Sequence, residues 1–172
     1  MKHILPILTI TTLAAAASAQ SAAASSGLSY NRVGLGYNTD SKGYSLSASA
    51  LIGSSNFLVA AGTTIGGATG AAASNGADSV SLGYVLKNVA FGADATVSVG
   101  SNEAYGLNVR KDLGGNIELA VGYGRQSGVN AWGAELAYNV SKQIQLAVGY
   151  SDSNAAGAAG DGQTSLAVRY NF

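Results

Sequence analysis

The stretch TSLAVRYNF, residues 164–172, alternates strictly: Leu166, Val168, Tyr170 and Phe172 share one parity, and Ser165, Ala167, Arg169 and Asn171 share the other. A period of two is the signature of a strand, and the wholly apolar parity must face something apolar. The segment closes on an aromatic, where domains usually leave a few polar, frayed residues.

The same alternation recurs upstream. Bounded by turn signals, it predicts ten strands, at 28–37, 44–52, 57–66, 79–86, 89–99, 104–112, 117–125, 130–140, 144–151 and 163–172. Alternate connectors are short: GSSN at 53–56, KN at 87–88, LGG at 113–115 and SKQ at 141–143. The others include the long stretches at 66–78 and 152–163. Tight turns at one end and longer loops at the other describe an up-and-down meander with both termini at the tight-turn end. The expected fold is therefore all-β, a transmembrane antiparallel up-and-down barrel of about ten strands, with eight as the runner-up.

Two features favour lipid over a soluble core. The parity opposite the apolar one is mostly Gly, Ala and Ser, and charged residues form only 10% of the chain, against about 25% in ordinary soluble domains. Of the thirteen aromatics only Tyr30 falls on the small-residue parity. Tyr37, Tyr44, Tyr105, Tyr123, Trp132 and Tyr150 lie near the long-loop ends, and Phe57, Tyr84, Phe91, Tyr138, Tyr170 and Phe172 near the tight-turn ends. Two aromatic belts around an aliphatic band are what the two interfaces of a bilayer select, so these residues are expected to form a membrane-interface girdle. In hydrocarbon an open sheet edge costs several kcal/mol for each unpaired backbone group, so the first and last strands are expected to pair.

The N-terminus carries a separate signal. Lys2, the apolar run from Ile4 to Ala17 and the tripeptide Ala17-Ser18-Ala19 fit a secretory signal cleaved after Ala19. The expected organisation is a signal peptide at 1–19, a small-residue lead-in at 20–27 and a barrel at 28–172. Without the signal the chain has eight basic and nine acidic residues, no Cys and no His, since His3 lies in the signal. Near-neutral charge gives no case for nucleic acid. Lack of imidazole and thiol removes most catalytic and transition-metal constellations, so no enzyme activity, metal or cofactor is expected. The stretch GAAGDGQT at 157–164 only approximates a phosphate loop, having Gln163 where lysine is required.

The ending resembles the C-terminal signature of bacterial outer-membrane barrels, and with the signal and meander the chain is similar to small barrels of the OmpA-like and opacity-type porin superfamily over about 28–172. The resemblance implies an outer-membrane location, lipid partners, and recognition of Leu166, Val168, Tyr170 and Phe172 by the barrel-assembly machinery. It supplies no functional motif and no surface partner.

Chemistry is then left to six lumen charges: Arg32, Asp94, Arg110, Glu118, Glu135 and Arg169. Arg110 and Glu118 are expected to lie opposite each other across an LGG hairpin with Gly115 left-handed. Arg32 and Arg169 are expected to be neighbours across the closing seam, with Asp94 and Glu135 as counter-charges. Two readings stay open: a charged constriction giving porin-like passage to small hydrophilic solutes, or a salt-bridged plug in a non-conducting structural or surface-interaction barrel.

Overall fold

A computed structural model describes residues 27–65, 78–154 and 162–172. The signal at 1–19, most of the lead-in and the long loops at 66–77 and 155–161 lie outside the described residues. Ten antiparallel strands form one closed barrel: β1 (Arg32–Asn38), β2 (Tyr44–Leu51), β3 (Phe57–Ile65), β4 (Ser79–Ala90), β5 (Ala93–Gly100), β6 (Ala104–Gly114), β7 (Ile117–Gln126), β8 (Val129–Asn139), β9 (Ile144–Ser153) and β10 (Gln163–Asn171). Each pairs with its sequence neighbours, and β1 closes on β10 from Arg32 opposite Asn171 to Asn38 opposite Ser165. Beyond the last ladder rung, the Phe172 amide donates to the Asn31 carbonyl at 3.0 Å. Among the described residues no sheet edge is left open.

The parity rule assigns the faces. Leu35, Leu46, Val59, Leu82, Val97, Leu107, Val121, Leu136, Val148 and Val168 point outward, most of them exposed, while the opposite parity lines the lumen. Outward aromatics meet in pairs near the strand ends. Tyr37 faces Tyr44 and Phe57 faces Tyr84 with ring centroids 5.1 Å apart in each case, and Trp132 lies 5.7 Å from Tyr150. Cross-strand aromatic pairs of this kind help pin register.

Three turns differ from the sequence expectation. β4 runs on through Lys87 and Asn88, and the turn that follows is Phe91-Gly92, with φ of 51° and 75°. The extension is absorbed by an irregularity between Leu86 and Ala90, where Asn88 takes φ 53° and donates its freed amide to Asp94 Oδ1 at 2.9 Å. Three residues, Lys87 to Val89, stand there against the single Asp94, so the face of β5 is kept and only the turn moves along the chain, which pure alternation does not reveal. Phe91 consequently sits at a turn, 93% exposed, and not on a strand's outward face. Likewise β6 extends through a second irregularity at Asp112–Gly114, and Gly115-Asn116, with φ of 61° and 67°, makes the turn in place of LGG. At the loop end, β7 and β8 are joined by only Ser127-Gly128, φ 48° and 84°. Paired left-handed residues are what a two-residue hairpin needs to match the strand twist.

The chain enters from the tight-turn end by a path that alternation alone misreads. β1 begins at Arg32, four residues later than expected, because Leu28 and Tyr30 point into the lumen and are buried beside Val85, Leu51 and Leu58. These last three are lumen-parity residues of β2, β3 and β4 near the tight-turn end. The entering segment is tied by Ser49 Oγ donating to the Tyr30 carbonyl at 2.8 Å and by the Leu51 amide donating to Asn31 Oδ1 at 2.9 Å.

Candidate functional site

The six lumen charges gather in the tight-turn half of the barrel; Arg110, Glu118, Glu135 and Arg169 belong to one hydrogen-bonded chain, and Asp94 is joined to it through Tyr30. Asp94, one residue into β5, stands opposite Arg110 of β6 in the ladder. It does not pair with that arginine by a salt bridge; Tyr30 comes between, donating its hydroxyl to Asp94 Oδ2 at 2.8 Å. Arg110 stacks on the Tyr30 ring, its guanidinium carbon 4.7 Å from the centroid. Burial first, and then the bond to Asp94, hold the Tyr30 phenol well above its ordinary range.

Arg110 turns its Nε to Glu118 Oε1 at 2.6 Å and its Nη2 to the Ser29 carbonyl at 2.9 Å. The partnership is the expected one but its geometry is not. The bulge before Gly114 puts Glu118 opposite Asp112 and Arg110 opposite Ala120, so the pair forms along a diagonal. Both members are buried, where an ion pair must be fully hydrogen-bonded to offset its desolvation. Gln145 completes it, with Nε2 donating to Glu118 Oε2 at 3.1 Å and to Asn139 Oδ1 at 3.0 Å. Its Oε1 accepts from Arg169 Nη1 at 3.1 Å. Arg169 in turn grips Glu135 with both terminal nitrogens, Nη1 to Oε1 at 2.6 Å and Nη2 to Oε2. Such a two-pronged fork fixes orientation as well as energy.

Arg32 stands apart from this chain. It lies opposite Asn171, while Arg169 lies opposite Gly34, so the two arginines are staggered across the seam by one lumen position rather than level. Among the described residues no carboxylate comes within 4.0 Å of Arg32.

Sequence reasoning passed over three contributors. Gln145 has no charge to attract notice, yet it joins two ion pairs whose members lie on four strands. Tyr30 was visible as the one aromatic on the small-residue parity. Leu51, Leu58 and Val85 were also visible, as bulky apolar residues on a parity otherwise small or polar. An apolar patch inside a polar lumen signals that something packs on it.

Cavities flank the layer. On the loop side a chamber of about 510 Å³ runs between walls of Gly106, Gly122, Gly133, Gly149, Asn108 and Ser165 down to Arg32, Glu135 and Arg169. On the tight-turn side a cavity of about 560 Å³ is lined by Ser29, Asp112, Glu118, Asn139 and Asn171. Because Arg169 and Glu118 are joined through Gln145, the two spaces end on opposite sides of one layer of side chains. Among the described residues no cluster of three or more potential metal ligands is found.

No protein-family profile matches the chain and no curated protein sequence resembles it significantly. Solved structures do. The KdgM porin in complex with disordered oligogalacturonate aligns with a TM-score of 0.52 at 14% identity, covering 82% of this chain and 99% of its own. The NanC porin aligns at 0.44 with 12% identity, over 82% of this chain and 98% of its own. Omp33 of Acinetobacter baumannii aligns at 0.34 with 13% identity, over 85% and 100%. At these identities the KdgM likeness speaks for the fold alone, a closed antiparallel barrel of the kind porins use.

Proposed function

We propose that the protein is an outer-membrane barrel of porin type, akin in architecture to the OmpA-like and opacity-type barrels, which gives small hydrophilic solutes a narrow, weakly selective passage. The observation that carries this reading is the pair of cavities that approach one thin polar layer from opposite mouths. A lumen meant only as packing would be filled by side chains throughout, as in the smallest barrels. Here the glycines, serines and alanine-sized residues of the loop half leave it open.

The exposed aliphatic band and the aromatics at both strand ends support a bilayer as the surrounding medium, with Tyr37, Tyr44, Tyr105, Tyr123, Trp132, Tyr150, Phe57, Tyr84 and Tyr138 as its interface girdle. The signal-like stretch at 1–19 fits export, and the outward Leu166, Val168, Tyr170 and Phe172 fit an assembly signal. Purified protein reconstituted in planar bilayers should show discrete, small single-channel steps; a reproducible lack of conductance refutes the passage. A closed barrel is the second reading, and one observation favours it: Leu28 and Tyr30 occupy the tight-turn half of the lumen. Under that reading conductance appears only when the entering segment is displaced.

A further inference from the structure

The six charges of the layer sum to zero, three arginines against Asp94, Glu118 and Glu135, with Asp112 further out in the tight-turn cavity, but they are not evenly placed. Arg110 is satisfied by Glu118 and Arg169 by Glu135. The third acid, Asp94, is buried on the tight-turn side of the layer, engaged by the Tyr30 hydroxyl and the Asn88 amide. The third arginine, Arg32, lines the floor of the loop-side chamber. Asp94 and Glu118 are thus enclosed, while the chamber floor carries the Arg169–Glu135 pair and, beside it, Arg32, which has no carboxylate of its own among the described residues.

We propose that the floor of the loop-side chamber is a subsite for a small oxyanion, a carboxylate or a phosphate, held by the Arg32 guanidinium. A guanidinium presents parallel N–H donors that match the two oxygens of such a group. The chamber is the right size for a small solute, since binding pockets commonly enclose about 300–1,000 Å³. Asn108, Ser151 and Ser165 on its walls offer further donors to the rest of the solute. Gly106, Gly122, Gly133 and Gly149 put no side chain into the approach. Passing anions therefore meet a fixed positive charge at the narrowest point, and cations meet a barrier.

This subsite rests on the open-chamber reading, and two measurements separate the failures. Arginine Nε–H resonances of the folded, detergent-solubilised barrel are followed by NMR during titration with sodium phosphate and, separately, sodium acetate. The Arg32 resonance is expected to move saturably, while those of Arg110 and Arg169 move little. In bilayers, the reversal potential in a KCl gradient is expected to show anion preference. That preference should fall about three- to tenfold in Arg32→Gln, survive in Arg32→Lys, and be unaffected by Arg125→Gln at the loop-end mouth. Saturable Arg32 shifts in a barrel that does not conduct support the subsite and refute the passage. An Arg32 resonance indifferent to both anions, or selectivity unchanged in a heat-modifiable, folded Arg32→Gln protein, overturns the subsite.

Discussion

Replacing Tyr30 by Ala should open the tight-turn half of the lumen without unfolding the barrel. Tyr30 precedes β1 and contributes no ladder hydrogen bond between strands, so its loss bears on docking of the entering segment rather than on closure. The ring is 3% exposed, beside Leu28 and Val85. Truncating a buried aromatic costs about 3–5 kcal/mol. Within that figure lie the hydroxyl bond to Asp94 at 2.8 Å, of the charged class worth about 1.5–3 kcal/mol, and the Arg110 stacking, worth about 0.5–2 kcal/mol. Taking 3 kcal/mol as the lower bound, the docked population falls relative to the undocked by about two orders of magnitude, at 1.4 kcal/mol per decade. Tyr30→Phe keeps the ring and loses only the hydroxyl, so it should shift the same equilibrium by about one order. The assay pairs single-channel conductance with hydrogen exchange of the amides of Leu28 to Asn31 and of Leu51, whose amide is held by Asn31. Expected are larger conductance steps and faster exchange in the order wild type, Tyr30→Phe, Tyr30→Ala, with strand amides elsewhere still protected. Unchanged conductance together with fast exchange would show that the segment docks without narrowing the path, and the reasoning that treats it as an obstruction would be refuted.

Arg110→Ala leaves Glu118 buried without its cation and should destabilise the barrel by about 3–5 kcal/mol in urea unfolding from lipid vesicles; Arg110→Met with Glu118→Leu should cost much less, because no charge is then stranded. Phe91→Asn should be neutral or stabilising by about 1 kcal/mol, since Asn tolerates the left-handed turn position better than Phe; a clear loss of stability would put Phe91 back among the membrane anchors. The raised Tyr30 phenol gives docking a pH dependence of definite sign: the contribution is fully present below the ordinary tyrosine value of 10.0 and is lost as pH rises through the elevated one. Exchange of the Leu28 to Asn31 amides, corrected for the intrinsic base-catalysed rate, should therefore accelerate above about pH 10 in wild type and not in Tyr30→Phe.

Why the barrel was legible and its interior only partly so follows from what each level of order depends on. Strand number, face and closure depend on alternation, which is local and repeated ten times, so an error at one strand is outvoted by the rest. Register depends on single residues. The irregularities near Asn88 and Leu113 each move a turn, and with them Phe91 leaves the outward face and the Arg110–Glu118 contact becomes diagonal. The charged pairing was half legible for the same reason. Parity says which charges face inward, but which of them meet depends on shear between strands and on neutral residues such as Gln145, whose reach decides whether two ion pairs become one network. The entering segment shows how such information was present and unused. Leu51, Leu58 and Val85 violate the polar lumen rule at three neighbouring places, and Leu28 and Tyr30 pack against them in the fold. Exceptions that cluster in space carry more information than the rule they break, and here they identify the segment that packs into the tight-turn half of the lumen. If Leu28 and Tyr30 hold the lumen narrow, the apolar patch beneath them is functional. Leu58→Ser with Val85→Ser should then mimic Tyr30→Ala in conductance while leaving Asp94 and Arg110 untouched, an outcome that no account of the lumen based on charge alone would produce.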